Sequence, residues 1–498
     1  MKRLTLVLFL SLFANSVWAA DRYIDPDCAN NGNGEAQACA ASGGGAGARN
    51  TYASITWGGH TWHQRGGTTW AATAALFVNA AGSQAKSGDL IGWGDGPASI
   101  DCSGYDGGTY CIRPAADAVQ VLGMRVIGCG AGATCKDTVQ VSTSATNFVL
   151  DGSELIGPGD TSTITDTRAV AVLAAICPIT ITDNTMSAYA RNITFPSPGG
   201  ACAGASTIAR NRIGPNSDNS PSDSDGVGFL GTTIWAFGGG MVVADNIITG
   251  FHENGIDLAA ASGVVVSGNT ITNPIKQADG VTPTFILAGN VSATGGGTSH
   301  LAQNFLRDDD AGDDPDGASV GIGFRGSWNA SNVYSNIVVG VRGYCVFASD
   351  GGGAYVPTGN AIANNTFSDC DDGAVRLTHG TTWAFANNVN NAMSMAIVSD
   401  AGTTGTYSHA ISSSAMTATF GGTWTSADPT TTDPRFLGGP NPTSPEGFKV
   451  KSTSPLCRAG TSVGRIKDYW NRTVDMLDPS IGAMDCNAEY RTDILTRE

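Results

Sequence analysis

Short runs of alternating apolar and polar residues recur along the chain, each opened by a polar turn and a glycine. SDSDGVGF, FHENGIDL, ASVGIGF and CDDGAVRL are four of them. A period of two marks a strand with one buried face. Val227 and Phe229, Ile256 and Leu258, Ile322 and Phe324, and Val375 and Leu377 are therefore expected to point inward. A second phrase repeats with them: TDNTM, ARNRI, ADNII, SGNTI, AQNFL, YSNIV, ANNTF and a degenerate ANNVN. These phrases carry Asn184, Asn211, Asn246, Asn269, Asn304, Asn336, Asn365 and Asn388, spaced 27, 35, 23, 35, 32, 29 and 23 residues apart.

A fixed packed unit with elastic spacing is what a solenoid produces, because each coil keeps its strands and varies its loops. Strands this short bury no core alone, but coils stacked about 4.8 Å apart do. The pattern predicts an all-β parallel β-helix. A propeller would need four strands in each repeat of about 40–50 residues, more than these intervals hold. Asparagine suits the bend of each coil, since it tolerates the left-handed region and bonds its own kind in a stack. TTWAATAALFVNAAG, Thr68 to Gly82, is apolar on most sides and predicts an N-terminal capping helix over the first rung. After about Ser399 the asparagine phrase stops, and a Gly/Thr/Pro-rich stretch leads into an irregular tail. The expected division is a leader at 1–20, a cap and first coils at 21–110, coils at 111–400, and a C-terminal coil and tail segment at 401–498.

Composition adds a compartment. MKRLTLVLFLSLFANSVWAA joins a basic start, an apolar stretch too short to span a bilayer and a small-residue exit, which predicts a cleaved secretory signal. The mature protein is then expected outside the cytoplasm, periplasmic or extracellular, with no membrane anchor and as a monomer. Twelve cysteines fall in local couples: Cys28 with Cys39, Cys102 with Cys111, Cys129 with Cys135, Cys177 with Cys202, Cys345 with Cys370, and Cys457 with Cys486. Neighbour pairing into disulfides is the simplest connectivity, although spacing alone does not fix it. No CxxC occurs and the six histidines do not cluster beside cysteines, which disfavours zinc. A formal charge of −16 disfavours nucleic acid and acidic membrane surfaces as partners.

The opening RYIDPDCANNGNG with SGDLIGW, the asparagine coils, and the closing DPRF, EGFKVKSTSPLCRAG and IGA resemble the pectin-lyase-like superfamily of right-handed parallel β-helix proteins. The resemblance spans nearly the whole chain beyond the leader. It implies an acidic or neutral polysaccharide as partner, and it leaves the reaction open among lyase, hydrolase, epimerase, esterase and non-catalytic surface protein. Lyases of that superfamily cleave uronate polymers by β-elimination. There Ca²⁺ on aspartates acidifies the C5 proton, and an arginine or lysine on a neighbouring rung removes it. An arginine is normally permanently charged, so a charge-stabilising role is equally open.

Outward positions of the alternating runs supply candidates for such a site. Asp257, Arg325 and Arg376 are the catalytic candidates, with His252 and Glu253 as substrate contacts. Asp225, Asp314, Asp316 and Asp372, in the turns before the strands, are the candidate Ca²⁺ ligands. Asp-Gly and Asn-Gly are also favoured turns for backbone reasons alone, so a solvated surface stands beside this reading. LRDDDAGDDPDG places six aspartates in nine positions at a coil entrance, and the run lacks EF-hand spacing. Asp371-Asp372 and Arg465-Ile466-Lys467 echo β-helix hydrolase motifs, but no NTD or GHG accompanies them. Trp62, Trp70, Trp93, Trp328 and Trp383 are candidate sugar platforms that loop packing would equally explain. A carbohydrate-binding or surface-interaction protein without catalysis is the contrasting expectation, and a glycoside hydrolase a further one.

Overall fold

The protein is described by a computed structural model covering residues 20–87, 93–129, 134–159, 167–173, 178–195, 206–216, 234–235, 240–258, 263–274, 282–288, 299–308, 319–325, 328–349, 357–380, 382–408, 410–415, 417–426, 430–463, 467–474 and 479–486. Residues 1–19 of the expected leader and the expected inward residues Val227 and Phe229 lie outside these residues. Among the described residues no helix is long and apolar enough to cross a membrane.

One coil shows the plan. Val242–Ala244 lies in the first sheet, Ile247–Thr249 in the second and Asn254–Asp257 in the third, and Val265–Ser267 then returns to the first. Repetition builds parallel sheets of 15, 14 and 13 strands, the right-handed parallel β-helix that the repeats predict. The inward row of the third sheet runs Ile256, Ile286, Ile322, Val346, Val375 and Ile397 in register. All six are buried, as are Leu258, Phe324 and Leu377, so the inward assignments hold wherever they can be seen. Each such side chain contributes on the order of 1.5–3 kcal/mol, which is how strands of two to six residues hold one another.

The repeated asparagines form a continuous ladder at the bend between the first and second sheets. The Nδ2 and main-chain N–H of Asn184 both donate to Oδ1 of Asn211, at 3.0 Å each. Asn211 does the same to Asn246, and the chain of bonds continues through Asn269, Asn304, Asn336 and Asn365 to Asn388. The second Nδ2 proton goes to a main-chain carbonyl one coil back, such as Leu150 for Asn184. Every ladder amide is thus satisfied in the interior, where an orphan would cost about 1–3 kcal/mol. The left-handed residue of the bend is not the ladder asparagine but the one before it: Asp183, Arg210, Asp245, Gln303, Ser335, Asn364 and Asn387, with φ of 55–60°. Its side chain points outward, and the asparagine after it turns in.

The N-terminal capping helix does not form. Thr69–Ala71 and Leu76–Val78 are strands of the first coil, with Trp70, Leu76 and Val78 buried and Phe77 facing out. Trp, Leu, Phe and Val in alternation satisfy a period of two, and an adjoining rung is present to pair with them, so tertiary context overrides the alanines' helix preference. Cover comes instead from Asp21–Ile24, paired parallel with Thr61–Gln64, and from the packed rings of Tyr52, Trp57, Trp62 and Trp70.

Disulfides join Cys28–Cys39, Cys102–Cys111, Cys129–Cys135, Cys345–Cys370 and Cys457–Cys486, five of the six expected pairs. The bond expected between Cys177 and Cys202 is not among the described disulfides, because Cys177 and Cys202 both lie outside the described residues. Cys345–Cys370 ties a strand of one coil to the turn entering the next. Strands continue past the last ladder asparagine to Thr430–Thr431.

The tail does not trail away. It folds back over the outer face of the C-terminal half of the second sheet. Phe436, Phe448, Val450, Leu456, Ile481 and Met484 pack there on Phe305, Ile337, Val339, Val389 and Ile411, a second core outside the solenoid. The bend residues hold it: Gln303 donates to the Asp468 carbonyl, Ser335 to Lys467, Asn364 to Ser480 and Asn387 to Thr461.

Candidate active site on the third sheet

With the C-terminal half of the second sheet sealed by the tail, the outer faces of the first and third sheets differ in chemistry. The first mixes small neutral residues such as Val242, Ala244, Val265, Ser267, Ala361 and Ala384 with Lys86, Asp151, His300 and Tyr334. The third presents a row set by register: Phe77, Arg113, Gln140, Ala171, Thr194, Asp257, Leu287, Gly323, Phe347, Arg376 and Val398. Accessible ionic and aromatic groups of the third-sheet row stand towards its two ends, Phe77 and Arg113 at one and Phe347 and Arg376 at the other.

The C-terminal part of this face gathers a compact cluster. Tyr344 and Phe347 stand outward on one strand with ring centroids 6.3 Å apart. Arg376 lies beside Phe347 on the next rung and forms an ion pair with Asp400 at 2.9 Å. The Arg376 charge also acts on the Tyr344 phenol. Asp372 opens the Arg376 strand, with its carboxylate beside Gly343. Burial pushes the Tyr344 hydroxyl above its ordinary range, and the charges of Asp372 and Asp400 add to that, against the opposing pull of Arg376. Asp369, in the same turn, is pushed up by burial and by the nearby Asp371 charge. Tyr344, Phe347, Arg376 and Asp400 are all partly accessible and Asp372 is exposed. The cluster offers a neutral phenol, a cation and two carboxylates to a solute lying along the sheet.

The residues expected from sequence are not brought into one constellation. Asp257 and Arg376 share the outward row but stand four rungs apart, about 19 Å at the usual spacing. Arg325 is exposed midway between them and displaced two residues along the strand, opposite Ser349 rather than Phe347. Asp257, His252 and Asn254 are buried, and Glu253 is half-buried beside them. Of the candidate metal ligands only Asp372 is described; Asp225, Asp314 and Asp316 lie outside the described residues. Asp308, first of the aspartate run, is buried and accepts a hydrogen bond from Ser319 at 2.8 Å, so this carboxylate serves the turn. Trp62, Trp70, Trp328 and Trp383 are buried in the core and offer no sugar platform.

Tyr344, Phe347 and Asp400 escaped the sequence reading. GYCVFASD keeps the inward-outward alternation, with Val346 in register with Ile322 and Val375, but it lacks the acidic turn that marks the other strands. Asp400 is reached only when coils are stacked.

No protein-family model matches the chain, and no curated protein sequence does. Solved structures with similar overall shape include pectate lyase Pel9A, at 13% identity and a TM-score of 0.39, covering 93% of this chain and 96% of that one. A tailspike protein mutant of E. coli bacteriophage HK620, in complex with a hexasaccharide, aligns at 11% identity and a TM-score of 0.47 over 81% of this chain and 71% of that one. The catalytic unit of a GH87 alpha-1,3-glucanase from Streptomyces thermodiastaticus aligns at 12% and 0.43, covering 76% of this chain and 65% of that chain.

Among the described residues the one group of three ligand-type side chains close enough to share an ion is Asp25, Cys28 and Cys39. Its two cysteines are joined in a disulfide, so it fits no metal.

Proposed function

We propose that this is an exported β-helix protein that binds an acidic polysaccharide along the outer face of the third sheet and cleaves it by β-elimination. The reading rests above all on the Tyr344–Arg376–Asp372–Asp400 cluster, a proton-bearing phenol that feels a nearby cation and two carboxylates on an open sheet face, with the cation ion-paired to Asp400. Arg376, anchored by Asp400, neutralises the uronate carboxylate and so favours loss of the C5 proton. Asp372, exposed at the strand entrance, is positioned to take that proton. Tyr344, held protonated by its surroundings, donates to the departing glycosidic oxygen. Phe347 supplies an apolar surface beside the reacting sugar.

Calcium belongs to this proposal as a helper. Asp225, Asp314 and Asp316 would hold it, with Asp372 kept for the proton, and when bound it would withdraw charge from the uronate carboxylate. Disulfides in five described pairs accord with an oxidising compartment outside the cytoplasm.

The test is ultraviolet absorbance of unsaturated uronide ends from pectate, alginate and glycosaminoglycans, with added Ca²⁺ or with chelator. Signal on one acidic polymer supports the lyase, and its loss in chelator supports the calcium role. Reducing ends without that absorbance would mean a hydrolase. Polymer retention without products would mean a binding protein.

A further inference from the structure

The N-terminal end of the same face carries a second group of side chains that the cleavage site does not use. Phe77 is 45% exposed, a large apolar ring left in solvent in the outward row of the first rung. Arg113 lies beside it on the second rung in register. Its guanidinium carbon sits 5.9 Å from the centroid of Phe77 and 5.1 Å from that of Tyr110. Among the described residues Arg113 has no carboxylate partner, and its buried Nε has no hydrogen-bond acceptor. The acid on the neighbouring rung, Asp137, is engaged elsewhere: Arg168 donates to it at 2.6 Å and Gln140 at 2.7 Å. The Cys102–Cys111 disulfide fixes the strand that carries both Tyr110 and Arg113.

Arg113 sets an unpaired cation on a chain whose formal charge is −16. Two rings hold it in place and lower the entropy cost of ordering it on binding, and its flat fork matches a carboxylate. The exposed Phe77 face beside it is suited to the C–H face of a pyranose ring. We infer that Phe77, Arg113 and Tyr110 form a distal binding subsite for an acidic sugar, with the carboxylate on Arg113 and the ring on Phe77. The inference rests on the reading of the third sheet as a polysaccharide track. Arg113 stands nine rungs before Arg376, about 43 Å along the sheet. The subsite therefore engages long polymers and is out of reach of short oligomers bound at the cleavage cluster.

The test compares wild type, Arg113→Gln, Phe77→Ala and Arg113→Lys for binding of an acidic polymer and of its carboxyl-reduced neutral form, by calorimetry. Circular dichroism melts show whether each variant is folded. Arg113→Gln and Phe77→Ala are expected to weaken binding of the acidic polymer about tenfold, with Arg113→Lys intermediate. Where wild type cleaves, the loss appears in KM for long chains and is absent for short oligomers. Variants that bind as wild type does while wild type cleaves would overturn the subsite and leave the lyase reading intact. Binding lost in the variants although wild type yields no products would keep the subsite and remove the lyase. A wild-type protein that holds no acidic polymer removes both.

Discussion

The outer faces of the second and third sheets are built from strands of the same coils, yet one is sealed and the other is open. On the second sheet, C-terminal outward positions include the apolar Phe305, Ile337, Val339, Val389 and Ile411, and the polar Arg307, Thr366 and Asn391 among them hydrogen-bond the tail. Earlier coils of that sheet place Arg125, Glu154, Thr185 and Arg212 outward instead, with Arg125 and Glu154 in an ion pair. The change from polar to apolar coincides with the tail. On the third sheet the outward row stays mixed, and Tyr344, Phe347 and Arg376 remain partly accessible. A face meant to be covered is made apolar, and one meant to meet a solute keeps charges that a cover would have to desolvate.

This contrast can be broken first from the sealed side. Asp468 is fully buried in the tail and takes two hydrogen bonds from the Arg472 side chain, at 2.9 and 2.7 Å. Asp468→Ala leaves that cation without its partner and is expected to cost about 3–5 kcal/mol, read as a lower denaturant midpoint and faster proteolysis of the tail. Serine at both Cys457 and Cys486 should cost about 2–4 kcal/mol by the same assays, because the disulfide closes the tail's last loop.

On the open side the same substitution chemistry should spare the fold and remove function. Tyr344→Phe and Arg376→Ala are expected to lower product formation about a hundredfold or more, with melting temperatures close to wild type. If the melts collapse while activity follows passively, the third sheet is as structural as the second and the contrast fails.

The smallest effect is in pH. Burial and Asp371 raise the Asp369 pKa, so the folded state holds that proton more tightly than the unfolded chain. Its stabilising contribution is present below the unfolded carboxylate pKa and is lost as pH rises through the folded value. Asp369→Asn should flatten that part of the stability–pH curve, measured by melts from acid to neutral pH. Tyr344 is shifted upward as well, so the phenol as acid imposes no alkaline fall in rate below its ordinary pKa near 10.

Much of the solenoid was legible because it is local. The bend asparagine and the alternating inward residues each depend on a few neighbours and on a rung that repeats them. The N-terminal segment was misread because Ala72, Ala74 and Ala75 favour helix in isolation, while Trp70, Leu76 and Val78 find a strand partner only once coils stack. The double asparagines show a further limit. In Asn364-Asn365 and Asn387-Asn388 the second residue enters the ladder, while the first takes the left-handed bend and bonds the tail. Spacing identifies the pair, but the division of labour depends on a segment some 74 to 116 residues away.

The candidate site was less legible. Asp257, Arg325 and Arg376 alternate with inward residues as the period of two requires, but which of them meet is a matter of rung count and register. Asp257 lies four rungs from Arg376, and Tyr344 with Asp400 are the groups that reach it.

The inward period, the ladder and the coil follow from the order of amino acids alone, because a β-helix writes the same short-range physics into every repeat. The assembled fold adds the rest. It seals half of the second sheet with the tail, makes neighbours of particular outward side chains on the third, and holds Arg113 between two rings with no carboxylate partner among the described residues. Those facts depend on the stacking of residues far apart in the chain, and no local pattern encodes that stacking.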